Sequence, residues 1–168
     1  MATSRRIDPT QPLVSSVLDR LLDDDPEAAV DPPKSRGQYL LELRQRLRRD
    51  VEALLNTHQC WQALPRELTE LRKSLLGYGM PNFLGISAVG DTAREQFRLD
   101  IEILLREFEP RFKKVSVTLL DNPDNLERTL RFRIDALVQA DPDLEPVSFD
   151  SMLEPVHRRF AVTAIRDD

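Results

Sequence analysis

A proline lies between two oppositely charged residues in the stretch Phe108-Glu109-Pro110-Arg111. Proline disfavours the α conformation in the residue before it, so we expect a helix to end here and Glu109 to be extended. The carboxylate and the guanidinium then flank a rigid corner. Two interpretations stay open: a recognition point that presents Glu109 and Arg111 to a partner or substrate, or a helix end whose charges pair locally.

Glu109 could also belong to a pair of acids that hydrolyses a glycosidic bond. That reaction needs two carboxyl groups held roughly 5 to 9.5 Å apart, one of them with a raised pKa. Asp135 and Asp150 are the candidate partners of Glu109. Aromatic residues, which stack on sugar rings, make up only 6% of the chain. A peptidoglycan hydrolase of the lysozyme-like muramidase type is therefore the alternative function and not the favoured one.

Nucleophilic catalysis would require a histidine beside Cys60 or beside a serine. The histidines are His58 and His157, and His58 is so near Cys60 in sequence that a strand or helix end would turn the two side chains apart or leave them exposed. Their spacing does not fit a metal site either. We therefore expect no catalytic residue, no metal ligand and no cofactor, and a protein that is not an enzyme.

The overall charge narrows the class of partner. The 168 residues suit one folded domain, and the net charge of −5 argues against general affinity for nucleic acid or an anionic membrane. No apolar run reaches the roughly eighteen residues of a membrane span, so we expect no direct membrane insertion. Cys60 is the single cysteine, which excludes an internal disulfide and fits a reducing cytoplasm.

Residues 1–34 are predicted to form an amino-terminal arm, and residues 35–168 an α+β domain. The arm contains a short amphipathic helix, an acidic run and a proline-rich linker that includes residues 31–34. The helix places apolar residues on one face: Leu13, Val14, Val17, Leu18, Leu21 and Leu22.

Two amphipathic helices are predicted in the domain. Ser35 and Gln38 have the spacing of a capping box before a helix over residues 36–57, and Thr92 and Glu95 have it before a helix that ends near residue 108. The first helix carries basic residues on its outer face, which fits either a phosphate-binding stripe or a solvated surface with interleaved acids. The basic residues are Arg44, Arg46, Arg48 and Arg49, and the acids on the same face are Asp50 and Glu52.

The carboxyl-terminal part alternates apolar and polar residues. Residues 115–120 and 130–136 predict an antiparallel hairpin, and residues 146–150 a third short strand. Arg131 and Arg133 fall on the charged outer face of the second strand. The expected fold is α+β, with long helices packed on one face of a small antiparallel sheet.

Several motifs, in order, resemble the TssE family of type VI secretion baseplate subunits, within the superfamily named for lysozyme-like phage baseplate wedge proteins. The motifs are Leu18-Asp19-Arg20-Leu21, residues 48–57 (RRDVEALLNT), residues 76–81 (LGYGMP), Phe108-Glu109-Pro110-Arg111, and residues 130–134 (LRFRI). Each motif is short, so their order and spacing carry the resemblance.

The resemblance implies a non-enzymatic wedge component that links the baseplate to the first ring of a contractile sheath and helps to initiate sheath assembly. It implies the cytoplasmic side of a bacterial envelope, and as partners the wedge subunits TssF and TssG, the adaptor TssK, the sheath proteins TssB and TssC, and the spike. The implied partner-binding residues are Leu18, Asp19, Arg20, Leu21, Glu109, Pro110, Arg111, Arg131 and Arg133.

Overall fold

The computed structural model describes residues 35–59, 65, 67–81, 91–120, 129–140, 143–154 and 159–165. The predicted amino-terminal helix with Leu18, Asp19, Arg20 and Leu21 lies outside the described residues, as does the linker 31–34. Cys60 and His157 also lie outside them. The division into an arm and a domain therefore stays a prediction.

Helix α1 spans Arg36–Asn56, α2 spans Thr69–Arg72 and α3 spans Asp91–Phe108. The capping box before α1 is confirmed: the Ser35 backbone N–H donates to Gln38 Oε1 at 2.8 Å, and the Gln38 N–H donates to Ser35 Oγ at 3.4 Å. The capping box predicted for α3 is wrong. Thr92 lies inside the helix, which begins at Asp91, and the Glu95 carboxylate pairs with Arg98 instead.

The strands are β1 (Phe112–Leu120), β2 (Leu130–Ala140), β3 (Asp143–Glu154) and β4 (Arg159–Ala164). They form a 4-stranded sheet in the order β1-β2-β3-β4, and each neighbouring pair is antiparallel. The α+β prediction is confirmed, and the prediction of three strands was one strand short. β4 has only Phe160 and Val162 as buried members of its alternating pattern, which is a weak signal in sequence.

The predicted third strand also begins earlier than expected, because Pro146 lies within β3 and not at its start. Proline lacks an N–H and is tolerated in a sheet only where that donor is not needed. The pairing of β4 with β3 starts at Phe149, so the position of Pro146 lies beyond the end of β4. The Pro146 carbonyl instead accepts from Arg44 Nη2 at 3.4 Å.

One face of the sheet packs against α1 and α3. Alternate residues of the strands point to this face and meet the apolar faces of both helices, forming one core. An aromatic group lies at its centre, where the ring of Phe132 is 6.4 Å from Phe97 and 6.0 Å from Phe160. Burial of this face fixes the strand register, since a slip of one residue would expose it. Within the described residues, no helix is long and apolar enough to cross a membrane.

Candidate functional site: the corner after the third helix

The corner between α3 and β1 is held by backbone hydrogen bonds on both sides. The Glu109 N–H donates to the Leu105 carbonyl at 3.0 Å, which completes the last turn of α3, and the Phe112 N–H donates to the Glu109 carbonyl at 3.1 Å. The Arg111 carbonyl accepts from the Gln139 N–H of β2 at 3.1 Å. The helix ends at Phe108, as the proline predicted, and the corner is fixed to the sheet.

Glu109 is buried, with 6% of its surface exposed, and its carboxylate faces Arg111. Arg111 Nε donates to Glu109 Oε1 at 2.6 Å and Arg111 Nη2 donates to Glu109 Oε2 at 2.6 Å. The Arg111 backbone N–H donates to the same Oε1 at 3.2 Å. The two charges on either side of the proline therefore pair locally.

Arg111 also connects the corner to the first helix. Its Nη2 donates to Asp50 Oδ2 at 2.7 Å, and the other oxygen of Asp50 accepts from Arg49 Nε at 3.0 Å. One guanidinium thus binds two carboxylates that are 61 residues apart in sequence. Asp50, which the sequence placed only on a solvated helix face, is a member of the site.

These contacts set the protonation state of the arginine. Burial by itself lowers the pKa of Arg111, but its hydrogen bonds to Glu109 and Asp50 outweigh burial and raise the pKa above its ordinary value. The guanidinium is therefore charged throughout the pH range in which the protein is folded. It neutralises Glu109, which would otherwise be a buried, unpaired anion.

The segment that carries Gly77-Tyr78-Gly79-Met80 returns to the end of α1. The Met80 N–H donates to the Thr57 carbonyl at 2.7 Å, and the Gln59 N–H donates to the Met80 carbonyl at 2.9 Å. Gly79 adopts a φ of 105°, and a Cβ there would lie 2.5 Å from the Thr57 oxygen. Glycine is required by both the conformation and the close approach.

This segment brings Tyr78 to the corner. The ring of Tyr78 packs edge-on against Phe108, with centroids 5.4 Å apart and an interplanar angle of 82°. Burial raises the pKa of Tyr78, and the negative charges of Asp50 and Glu109 raise it further. The phenol therefore stays neutral and keeps its O–H donor at physiological pH.

A shallow pocket of about 330 Å³ opens at this junction. We name it the corner pocket, and it is lined by Asp50, Leu54, Tyr78, Phe108, Glu109, Pro110 and Arg111. Three sequence motifs that are far apart in the chain therefore meet in one place. Pro110 is exposed at its rim.

The profile of the family described as "Baseplate wedge protein gp25" matches residues 41–143. The chain belongs to the baseplate wedge protein gp25 family. The matched range runs from α1 into the start of β3, and it includes every residue of the corner pocket. The resemblance to baseplate wedge proteins seen in the sequence motifs is thus confirmed, and the chain is a structural baseplate component.

A chain of the solved structure described as "The baseplate complex from the type VI secretion system" is similar to this wedge protein. The alignment covers 76% of this chain and 97% of that chain, at 15% sequence identity and a TM-score of 0.46. No curated protein sequence matches the chain.

The acids considered for hydrolysis do not share a site in this wedge protein. Both oxygens of Glu109 accept hydrogen bonds from Arg111, on the side of the sheet that faces α1. Asp135 and Asp150 lie on the opposite, outer face of the sheet. Asp135 Oδ1 accepts from Ser148 Oγ at 2.6 Å, and Asp150 Oδ1 from Arg133 Nε at 2.9 Å. The sequence offered Asp135 and Asp150 as catalytic partners of Glu109, but the fold places both of them on the other side of the sheet from Glu109.

Arg131 and Arg133 lie on the outer face of β2, as predicted, and away from the corner pocket. Arg133 pairs with Asp150 of β3, while Arg131 lies opposite Leu120 on one side and Met152 on the other. The structure therefore places the predicted partner-binding arginines of β2 on a different surface from Glu109, Pro110 and Arg111.

Basic residues of α1 pair with acids of the same helix. Arg46 pairs with Glu42 at 3.5 Å and Arg48 with Glu52 at 2.8 Å, each one helical turn apart. The interpretation as a solvated face with interleaved acids fits this wedge helix. Arg48 and Asn56 of this helix also bind the edge of the sheet.

The backbone groups on the outer edge of β4 are bound by side chains of α1. Asn56 Nδ2 donates to the Phe160 carbonyl at 2.9 Å, and the Phe160 N–H donates to Asn56 Oδ1 at 2.8 Å. Arg48 Nη1 donates to the next outward carbonyl, that of Val162, at 3.2 Å. These side chains occupy the positions that another strand would need.

The opposite edge, formed by β1, has fewer such contacts. Arg98 Nη1 donates to the Val117 carbonyl at 3.1 Å, so Val117 directs its backbone groups away from β2. Alternate residues of a strand direct their backbone groups to the same side, so Val115 and Leu119 also direct theirs away from β2. Among the described residues, no hydrogen bond reaches Val115 or Leu119 from that side. Of the two edges, β1 is the more open one in the part of the chain that the structure describes.

Proposed function

We propose that the protein is a non-enzymatic TssE-type subunit of a contractile type VI secretion baseplate. In this role it links the wedge to the first sheath ring and helps to initiate sheath assembly, on the cytoplasmic side of the envelope. Membership of the wedge family supports the baseplate part of the proposal. The difference between the two sheet edges supports the part that concerns the sheath.

The β1 edge carries the proposal because an open edge can accept a strand from another chain. Main-chain hydrogen bonds supply affinity in such β-augmentation, and side chains on alternate positions supply specificity. Because Asn56 and Arg48 bind β4, the described residues leave β1 as the edge on which an incoming strand can pair. We assign this strand to a sheath protein, TssB or TssC.

Proline at an outward-facing position tests this assignment. Leu119→Pro removes one N–H that points away from β2 and leaves the hydrogen bonds between β1 and β2 intact. Proline is tolerated at such a position of an edge strand. Leu119→Ala is the matched control, because it shortens the same side chain and keeps the N–H. In cells that carry the secretion genes and a fluorescent sheath protein, we expect sheaths with Leu119→Ala and few with Leu119→Pro. Normal sheaths with both variants would contradict the assignment.

We assign the corner pocket to the wedge side of the interface, together with the arm residues Leu18, Asp19, Arg20 and Leu21. The side chains of Glu109 and Arg111 shape the pocket from within, so its accessible rim is Pro110 beside Tyr78. TssF, TssG and TssK are the candidate partners at this interface. We also propose the spike as a partner, and Arg131 and Arg133 on the outer face of the sheet as partner-binding residues.

Co-purification distinguishes these contacts. Pro110→Trp fills the rim without changing the ion pairs, and Pro110→Ala is its small control. We expect Pro110→Trp, or deletion of residues 1–34, to reduce recovery of TssF and TssG while the melting curve of the domain is unchanged. Undiminished recovery with both changes would exclude the corner and the arm as wedge contacts.

A further inference from the structure

A second concave surface lies on the outer face of the sheet, away from the corner pocket. It has a volume of about 570 Å³ and is formed by the start of β1 with its neighbours β2 and β3. Lys114, Leu137 and Pro146 lie side by side across these strands. Together with Lys113, they define what we name the lysine groove.

The two lysines are consecutive and both are exposed, which an ordinary strand would not permit. The pairing of β1 with β2 shifts between Phe112 and Lys114, so Lys113 is the extra residue of a β-bulge. The buried residues on either side are Phe112 and Val115. The bulge therefore places two neighbouring ammonium groups at one end of the open edge.

The other charged residues of the groove are Arg106, which is paired with an acid, and Asp135, whose hydrogen bond to a neutral hydroxyl does not cancel its charge. Arg106 Nη2 pairs with Glu102 at 2.7 Å, and Asp135 accepts from Ser148. Lys113 and Lys114 have no ion pair or hydrogen bond from their side chains to the described residues. In a chain of net charge −5, these two lysines form a local positive surface beside the apolar Leu137 and Pro146.

We infer that the β1 edge, at the end beside the lysine groove, receives an acidic, extended segment of a partner chain, which pairs with β1 and places its carboxylates against Lys113 and Lys114. The inference rests on the proposed function, because it describes the chemistry of the strand that pairs with β1. Charge complementarity selects the partner, since lysines on an edge discourage indiscriminate pairing and acids opposite them remove that penalty.

Two short fluorescent peptides test the inference on the purified full-length protein. Both have the same alternating valines and threonines, and one carries aspartates where the other carries lysines. We expect fluorescence anisotropy to show binding of the aspartate peptide, weakened by added salt, and no binding of the lysine peptide. Absence of binding by the aspartate peptide, or equal binding of both peptides, would overturn the inference.

Charge reversal of the protein supplies the second arm. Lys113→Glu with Lys114→Glu should weaken the aspartate peptide by about tenfold, as expected for the loss of two exposed ion pairs and new repulsion. The double variant Lys113→Gln with Lys114→Gln should have a smaller effect. It shows whether weaker binding by the charge-reversed variant comes from the charges or from a folding defect. Lys73→Glu, at the residue after α2, is the matched control and should bind normally. Unchanged affinity in the reversed and neutral variants would contradict a role for these lysines.

Leu119→Pro separates strand addition from simple attraction. The variant keeps both lysines, so a peptide that only lies in the groove would bind it as tightly as the unchanged protein, and that result would refute pairing along β1. The peptide assay contains no other wedge subunit and no sheath protein. Its failure is therefore distinguishable from failure of the proposed function, which is measured by sheaths in cells.

Discussion

Arg111 binds the buried carboxylate of Glu109 through two parallel hydrogen bonds, each 2.6 Å long, across the exposed ring of Pro110. The same guanidinium reaches Asp50 on α1 at 2.7 Å. The corner is thus a brace between the first helix and the start of the sheet. The interpretation in which the two charges pair locally describes the free protein.

Arg111→Ala should destabilise the fold, because it leaves Glu109 buried without its counterion. We expect a loss of about 3 kcal/mol in the free energy of unfolding, measured by urea denaturation. Arg133→Ala is the matched control: its pair with Asp150 is exposed by 43% and 37%, and its loss should have a much smaller effect. Equal effects of the two changes would mean that the Glu109 pair is not a brace.

Gly79→Ala should also destabilise the protein, since Gly79 has a positive φ and its added Cβ would meet the Thr57 oxygen at 2.5 Å. The expected loss is about 1 to 3 kcal/mol. Gly37→Ala, in the first turn of α1 with nothing within 4 Å of the new Cβ, should instead stabilise by up to about 0.5–1 kcal/mol. Thermal melting of both variants measures the difference. A harmless Gly79→Ala would show that the loop is not held against Thr57.

Tyr78 predicts a dependence on alkaline pH. Its pKa is raised in the folded protein, so the unfolded chain releases the phenol proton first as the pH rises past 10.0. The stabilisation is complete below that pH and is lost above it. The free energy of unfolding should therefore fall more steeply at alkaline pH in the unchanged protein than in Tyr78→Phe. Parallel curves would contradict the prediction, and Tyr39→Phe is the control.

Asn56→Ala should weaken β4, because one amide side chain satisfies both backbone groups of Phe160. We expect a loss of about 1–3 kcal/mol from the buried backbone groups left without partners, measured by urea denaturation. The variant should also form larger species at high concentration in size-exclusion chromatography, because it uncovers the β4 edge. Gln45→Ala, exposed on the same helix, should remain unchanged in both measurements.

The sequence predicted those parts of the fold that local patterns determine. Alternation over residues 115–120 and 130–136 predicted the hairpin, and Pro110 predicted the end of α3, because each depends on neighbours in the chain. β4 was missed because only Phe160 and Val162 mark it. Pattern rules also began β3 at Pro146, which lies within the strand since its missing N–H falls beyond the end of β4.

The contacts of the candidate site were beyond local patterns. Glu109, Pro110 and Arg111 were identified as a corner, but Asp50 is 61 residues from Arg111 and looked like any acid on a solvated helix face. Tyr78 reaches Phe108 only because Gly79 and Met80 bind the end of α1. A basic helix face followed by an aspartate gives no sign of its partner until the helix is packed on the sheet.

The hydrogen bonds of Asn56 and Arg48 to β4 also limit how copies of this protein can associate with one another. A sheet with two open edges can add copies without end and grow into a fibre. Among the described residues β4 is occupied, so two copies that meet through their sheets are expected to pair β1 against β1, which produces a closed pair. The contacts of Asn56 and Arg48 therefore favour a closed pair over a fibre wherever copies meet through the described edges of their sheets.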